Sequence, residues 1–273
     1  MSFVTIVVPC YNEAGRLRSS EYRRFLEANP ARLLFVNDGS TDRTLAVLEE
    51  LRLQFPDKVA ILDLPRNQGK AGAVRQGILR AASEEGVGFV GFMDADLSTP
   101  LEETRYFLRV FRQPEIEFVF GSRIARIGAR IQRFHYRHYF GRVVASAISM
   151  YLRLPVYDSQ CGAKFFRPGL AMVVFKDPFV SKWLFDVEIF KRIAYTGRMV
   201  EACSLELPLH TWIEKGQSKL GWRDLMKIPL EFWKIMRGYR HHRVPAPAGV
   251  AVAAAPEVTP GANDNSTPPL SHN

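Results

Sequence analysis

Phe89-Val90-Gly91-Phe92-Met93-Asp94-Ala95-Asp96 runs without a break from apolar residues into two carboxylates. A continuous apolar run of this kind, rich in aromatic and β-branched residues, reads as a strand buried on both faces. Asp94 and Asp96 mark the point where that strand leaves the core. In open parallel sheets ligands bind outside the carboxyl ends of the strands, so acids emerging there stand where chemistry is done. Paired acids at a strand end are also ordinary turn residues, and the surrounding chain has to separate the two readings.

Outward from this strand the first half repeats a strand–turn–helix pattern. Residues 4–8, 33–36, 59–62 and 87–93 are short apolar runs bounded by turn residues. Helices are predicted over about 42–54, 69–82 and 101–111, the first with Ser40 or Thr41 available as its cap. Such alternation predicts an α/β fold, a mostly parallel sheet covered by helices on both faces. Asn37, Asp38, Asp94 and Asp96 then fall at the carboxyl ends of strands. A further strand is predicted at 117–120, ending in Gly121-Ser122-Arg123, with helices near 140–151 and 185–196.

Residues 223–242 read as a basic amphipathic helix. Leu225, Ile228, Phe232, Ile235, Met236 and Tyr239 share one stripe, and Arg223, Lys227 and Lys234 another. Pro229 is expected to kink or shorten it. Residues 1–243 therefore form one domain, and the Pro/Ala-rich 244–273 reads as a disordered tail.

The chain of 273 residues is 47% hydrophobic and 24% charged, in keeping with one large globular domain. Its net charge is +9; the tail holds Glu257 and Asp264 and no Lys or Arg, so the body carries +11 and favours anionic partners. Cys10, Cys161 and Cys203 have no metal-ligand spacing, and a reducing compartment accounts for them. No stretch reaches the roughly 18 apolar residues of a spanning helix. The opening residues lead straight into a strand, which leaves no signal peptide. A cytoplasmic protein is expected. Gly86-x-Gly88-x-x-Gly91 lies inside a strand and lacks the turn a dinucleotide fingerprint needs, and there is no P-loop.

Between Phe118 and Tyr157 stand seven arginines, two histidines and no carboxylate. Solvated basic surfaces normally intersperse acids. An anion site beside the Asp94/Asp96 edge is the sharper reading, because guanidinium forks match phosphate oxygens.

Four blocks in order carry a family resemblance: Val7-Val8-Pro9-Cys10-Tyr11-Asn12-Glu13; Val36-Asn37-Asp38-Gly39-Ser40-Thr41-Asp42; Asn67-Gln68-Gly69-Lys70-Ala71-Gly72; and Asp94-Ala95-Asp96. Together they resemble the signature of inverting family-2 glycosyltransferases with the GT-A, Rossmann-like nucleotide-diphospho-sugar transferase fold. Asp158-Ser159-Gln160-Cys161-Gly162-Ala163-Lys164-Phe165-Phe166, Trp183-x-Phe185-Asp186-x-Glu188 and Trp212-Ile213-Glu214 are similar to the dolichyl-phosphate β-glucosyltransferase branch of polyprenyl-phosphate sugar transferases. The resemblance spans roughly residues 3–240. Asn37 stands where many members have Asp.

The resemblance implies that Pro9, Tyr11, Glu13 and Asp38 line a nucleobase and ribose pocket, with Lys70 beside the nucleotide. Asp94 would meet ribose or diphosphate, and Asp96, with Asp94, would hold Mg²⁺ or Mn²⁺. Arg123 and Arg137 would bind the acceptor phosphate, and Arg126, Arg130 and Arg133 lipid headgroups. Asp186 and Glu188 would lie on the acceptor side; their plain alternative is acids early in a helix favoured by its macrodipole. The implied reaction is inverting transfer of a hexose, glucose from UDP-glucose, to a polyprenyl phosphate. The protein would sit peripherally on the cytosolic face of the membrane. Two placements stand for the 223–242 helix: Phe232 and Trp233 at the lipid surface, or the helix packed on the sheet. One alternative is a soluble hydroxylated or phosphorylated acceptor, with Asp186 or Glu188 as base. Another class is a nucleic-acid binder built on the basic body; no nucleic-acid motif supports it, and it leaves the four blocks unexplained.

Overall fold

The structure, a computed structural model, describes residues 3–132, 135–215 and 228–240, with side chains at all of these except 135–141 and 143. The apolar runs form strands β1 (Phe3–Cys10), β2 (Arg32–Asp38), β3 (Val59–Leu64), β4 (Val87–Met93), β5 (Phe118–Ser122), β7 (Ala163–Phe166) and β8 (Ser204–Pro208) of one seven-stranded sheet, in the order β3-β2-β1-β4-β7-β5-β8. All neighbours are parallel except β7, which runs antiparallel to both β4 and β5. β6 (Arg130–Gln132) and β9 (Thr211–Ile213) pair separately, a small sheet in the arginine-rich segment that periodicity did not foretell.

Alternation along the strands feeds two cores. Val7, Leu34, Phe92, Phe118 and Phe166 face α3 (Gly69–Ala82), α5 (His135–Leu152), α6 (Pro168–Val174) and α7 (Phe185–Tyr195). Ile6, Phe35, Val119 and Phe165 face α1 (Ser19–Ala28), α2 (Thr44–Gln54) and α4 (Thr104–Val110). Period-two geometry sends adjacent residues to opposite faces, which is why strands covered on both sides are apolar throughout. A short helix, α8 (Val200–Cys203), leads into β8.

One expectation is corrected here. Helix α2 begins at Thr44 and takes no cap from Ser40 or Thr41. The Asp42 carboxylate accepts from the Thr44 amide instead, while Ser40 and Thr41 bond to Asn12. The C-terminal helix, α9, is described over Ile228–Gly238, with Pro229 in its first turn, where a missing N–H costs nothing. Arg223, Leu225 and Lys227 lie outside the described residues, as does the tail.

Ile228, Phe232, Ile235 and Tyr239 pack α9 on the main core, and Phe232 meets the Tyr151 ring at 5.0 Å. Phe232 is thus turned into the protein, not towards a lipid surface. Leu230, Trp233 and Met236 face out. Among the described residues no helix is long and apolar enough to cross a membrane.

The reversed strand β7 decides what lies at the ligand edge. Ala163 pairs with Met93, so the segment entering β7, residues 158–162, arrives beside the carboxyl end of β4.

Candidate active site

The loop after β1 is stitched to the loop after β2. Asn12 N donates to Ser40 Oγ (3.0 Å), Thr41 N to Asn12 Oδ1 (2.8 Å), Glu13 N to Thr44 Oγ1 (2.8 Å) and Ala14 N to Asp42 Oδ2 (3.1 Å). Pro9, Tyr11, Glu13 and Asp38 are thereby gathered at one end of the sheet, and the Tyr11 ring is exposed. Asp38 is buried, and its two oxygens accept the amides of Gln68 (2.7 Å) and Gly69 (2.9 Å). Burial raises its pKa despite those bonds and the Lys182 charge. A carboxylate at this position caps α3 and suits its dipole. Asp38 thus sets where α3 begins. Gly39 (φ +63°) lets the chain pass Arg66, whose carbonyl carbon lies 2.6 Å from where a β-carbon would sit.

The first turn of α3 carries Lys70, whose Nζ lies 2.5 Å from Asp94 Oδ1. Burial works against the ammonium, yet the carboxylates of Asp94, Asp186 and Asp96 raise its pKa and keep it charged. Asp96 accepts the Ser98 amide at 2.8 Å. Burial, then the neighbouring Asp94, push its carboxyl pKa up. The chain turns sharply at Leu97 (φ +54°), which separates the two acids from η1, a 3₁₀ turn at Leu101–Glu103. Against Asp94 lies Gly162; a β-carbon there would fall 2.1 Å from Asp94 Oδ2.

Among the described residues no cluster of three or more His, Cys, Asp or Glu could hold a metal by itself. Asp94 and Asp96 offer hard carboxylate oxygens at one strand end, a donor set that fits Mg²⁺ or Mn²⁺ completed by diphosphate oxygens and water.

On the other flank Arg123 is gripped by Asp158, Nε to Oδ2 at 2.6 Å and Nη2 to Oδ1 at 2.7 Å. Burial opposes the charge, but Asp158 more than offsets it and the pKa is raised. Asp158 in turn is held by Glu206 of β8, which accepts the Tyr157 and Asp158 amides at 2.9 and 2.8 Å. Two of the three Arg123 nitrogens are therefore committed to the protein. Arg142 is committed as well, donating to the Tyr157 carbonyl (2.9 Å) and covering its ring at 3.8 Å. Arg126 and Arg130 are exposed. Arg137 lies in the first turn of α5, with its side chain outside the described residues, and Arg133 lies outside them altogether.

Asp186 and Glu188 open α7, and neither is free for an acceptor. Asp186, 5% exposed, pairs with the fully buried Lys164 at 2.6 Å. Lys164 also donates to the Cys161 carbonyl at 2.6 Å. Glu188 is 0% exposed and accepts from Val180 N (2.9 Å), Ser181 N (2.7 Å) and the Tyr239 hydroxyl (2.8 Å). The expectation that Glu188 stands on the acceptor side is corrected: it ties the 180–181 segment and α9 to α7. Those donors replace the water that the buried carboxylate has lost.

Residues to which the sequence reading gave no role hold the site in shape: Lys164, Gly162 and Asp158, which stand in a block quoted for the resemblance, and Glu206. One signal was available. Lysine within Ala163-Lys164-Phe165-Phe166 is a charge in a core strand, which demands a buried counter-charge.

Residues 5–179 match the family model described as Glycosyl transferase family 2. A dolichyl-phosphate beta-glucosyltransferase of Trichomonas vaginalis is 28% identical over 252 residues, covering 87% of this chain and 72% of that one. The dolichyl-phosphate beta-glucosyltransferase of Homo sapiens is 28% identical over 258 residues, 84% of this chain and 75% of its own. Among solved structures, glucosyl-3-phosphoglycerate synthase of Mycobacterium tuberculosis with uridine diphosphate superposes with a TM-score of 0.62 at 14% identity, over 89% of this chain and 82% of that one. The mannosyltransferase PcManGT of Pyrobaculum calidifontis, solved with GDP-Man and Mn²⁺, gives 0.57 at 19% identity, over 89% and 65%. These likenesses establish a GT-A-like fold.

Proposed function

We propose that this chain, which belongs to glycosyl transferase family 2, moves glucose from UDP-glucose to a polyprenyl phosphate of the dolichyl type with inversion at the anomeric carbon. The observation that carries the reading is the Lys70–Asp94–Asp96 cluster at the carboxyl end of β4, beside the start of α3. A lysine at a helix N-terminus suits a diphosphate, and carboxylates beside it suit the divalent cation that accompanies one. The glucosyl and dolichyl-phosphate assignments are supported by relatives bearing that name. UDP as the donor nucleotide is what the resemblance to the dolichyl-phosphate β-glucosyltransferase branch implies.

In this reading the exposed Tyr11 face and Glu13 receive the nucleoside, and Asp38 acts by fixing the α3 N-terminus. Lys70 neutralises charge that builds on the departing diphosphate. Asp94 and Asp96 hold Mg²⁺ or Mn²⁺, which when bound supplies Lewis-acid stabilisation of the same charge. Arg123 orients the acceptor phosphate with the donors that Asp158 leaves open, and Arg137 joins it from α5. A phosphate monoester with its second pKa near about 6 is largely dianionic at neutral pH, so its oxygen attacks without a strong base. That removes the need for a base, and it agrees with Asp186 and Glu188 being committed to Lys164 and to backbone amides. A soluble hydroxyl acceptor would require one of them free.

The outward face of α9, with Leu230 and Trp233 exposed beside Lys234 and Arg237, meets the membrane surface that presents the lipid.

The test is transfer of radiolabelled glucose from UDP-glucose, with Mg²⁺ or Mn²⁺, into total membrane lipid. Label in an organic-soluble, mild-acid-labile product is expected. UDP release without labelled lipid would move the acceptor to the soluble phase, and no turnover with any nucleotide sugar would remove the transferase reading.

A further inference from the structure

Lys70 and Lys164 are both spoken for, by Asp94 and Asp186. Lys182 is different. It is exposed, and among the described residues no carboxylate forms an ion pair with it. Its side chain does not extend away from the protein. The Cβ, Cγ and Cδ atoms lie 3.8–4.0 Å from the point where a side chain on Gly69 would begin. The stem therefore lies along Gly69, the first residue of α3 and the neighbour of Lys70. Its charge reaches Asp38, whose carboxyl it lowers against the larger effect of burial.

The backbone that presents Lys182 is unusually well held. On the preceding side Val180 N and Ser181 N donate to Glu188 at 2.9 and 2.7 Å. Ser181 Oγ donates to Glu231 Oε2 of α9 at 2.8 Å and accepts the Leu184 amide at 2.9 Å. Two carboxylates, one from α7 and one from α9, thus clamp the strap from both sides. A fixed backbone reduces the freedom a long side chain must surrender on meeting a ligand. Lys182 has no ion-pair partner among the described residues and lies against the residue that precedes Lys70, so it can add a cation to the Lys70–Asp94–Asp96 edge, and of the parts of a nucleotide only the phosphates carry charge.

We propose that Lys182 is a binding residue for the phosphates of a nucleoside diphosphate, held against the first turn of α3 by the strap that Glu188 and Glu231 clamp. The proposal rests on the donor-site reading above, and it assigns Glu188 a purpose: it is the anchor of this strap.

The test is calorimetric titration of the full chain with UDP and with uridine, each with Mn²⁺ present. Lys182→Met is expected to weaken UDP binding by about tenfold, leave uridine binding unchanged and leave the melting temperature within about 1 °C. Lys182→Arg, which keeps the charge, is expected to bind UDP within about twofold of wild type. UDP binding by Lys182→Met equal to that of wild type would overturn the proposal while leaving the donor site intact. Equal weakening of uridine would overturn the phosphate contact. Wild-type protein that binds no UDP would take down the donor reading and this inference together.

Discussion

Gly162 approaches Asp94 so closely that a β-carbon on it would stand 2.1 Å from the carboxylate Oδ2. No side chain larger than hydrogen leaves Asp94 where it is. The 158–162 segment is itself fixed by Glu206, Arg123 and Lys164, so Asp94 is confined between Gly162 on one side and Lys70 on the other. The shape of the donor edge depends on a strap whose contact with Asp94 only the fold reveals.

Gly162→Ala forces either the strap or Asp94 to move. A misplacement of about 1 Å at a reacting group costs on the order of 10²-fold. kcat/KM for UDP-glucose is expected to fall by that factor, with only a small change in melting temperature. An unchanged kcat/KM would show that Asp94 tolerates displacement and is not confined by the strap.

Asp96→Ala is expected to lose about 10²–10³-fold in metal-dependent turnover. The assay is sugar transfer across a Mn²⁺ titration. Full activity with the wild-type metal requirement would remove Asp96 from the metal.

Lys164 and Asp186 form a buried pair, and leaving one charge alone costs about 3–5 kcal/mol. Lys164→Met should therefore be strongly destabilised in urea unfolding. Lys164→Met combined with Asp186→Asn should recover more than half of that loss, because no unpaired charge remains. Strictly additive losses would mean that the two residues contribute independently.

Glu206 is pushed above its ordinary value of 4.5 by burial, against the Tyr157 and Asp158 amides that favour its charge. The folded state then holds a proton that the unfolded state releases. Stability from this group falls as pH rises from the ordinary value through the raised one, and is level above it. The melting-temperature advantage of wild type over Glu206→Gln should shrink as pH is raised through that window. An advantage that grows would reverse the sign of the shift.

Leu230 and Trp233 are about half exposed, at 52% and 49%. The full chain is expected to float with vesicles containing anionic lipid, and Leu230→Ser/Trp233→Ser to remain largely in the soluble fraction. Equal flotation of the two would place the membrane contact elsewhere.

Much of the architecture is readable from local pattern. The strands over 4–8, 33–36, 59–62 and 87–93 appear within β1–β4, and the predicted 69–82 helix is α3, because apolar period and turn residues act over a few residues. The boundaries that shifted have local causes too. Asp42 outcompetes Ser40 and Thr41 at the start of α2 because those two are drawn to Asn12, and that contact exists only once β1 and β2 lie side by side. Periodicity also placed Phe232 on an apolar stripe without saying whether that stripe faced lipid or protein. The Tyr151 ring supplied the answer.

The sequence by itself determined the α/β class and the emergence of Asp94 and Asp96 from a buried strand, and by resemblance it singled out Lys70 and Asp38 as residues of the same site. Only the tertiary structure decided which charges meet. Arg123 finds Asp158 across 35 residues, and Glu188 finds Tyr239 across 51. Lys164 reaches Asp186 because β7 runs backwards through the sheet. Pattern along a chain tells which face of an element is apolar. Whether a carboxylate is a ligand or an anchor is set by the cost of burying its charge, and that cost depends on neighbours that only folding brings near.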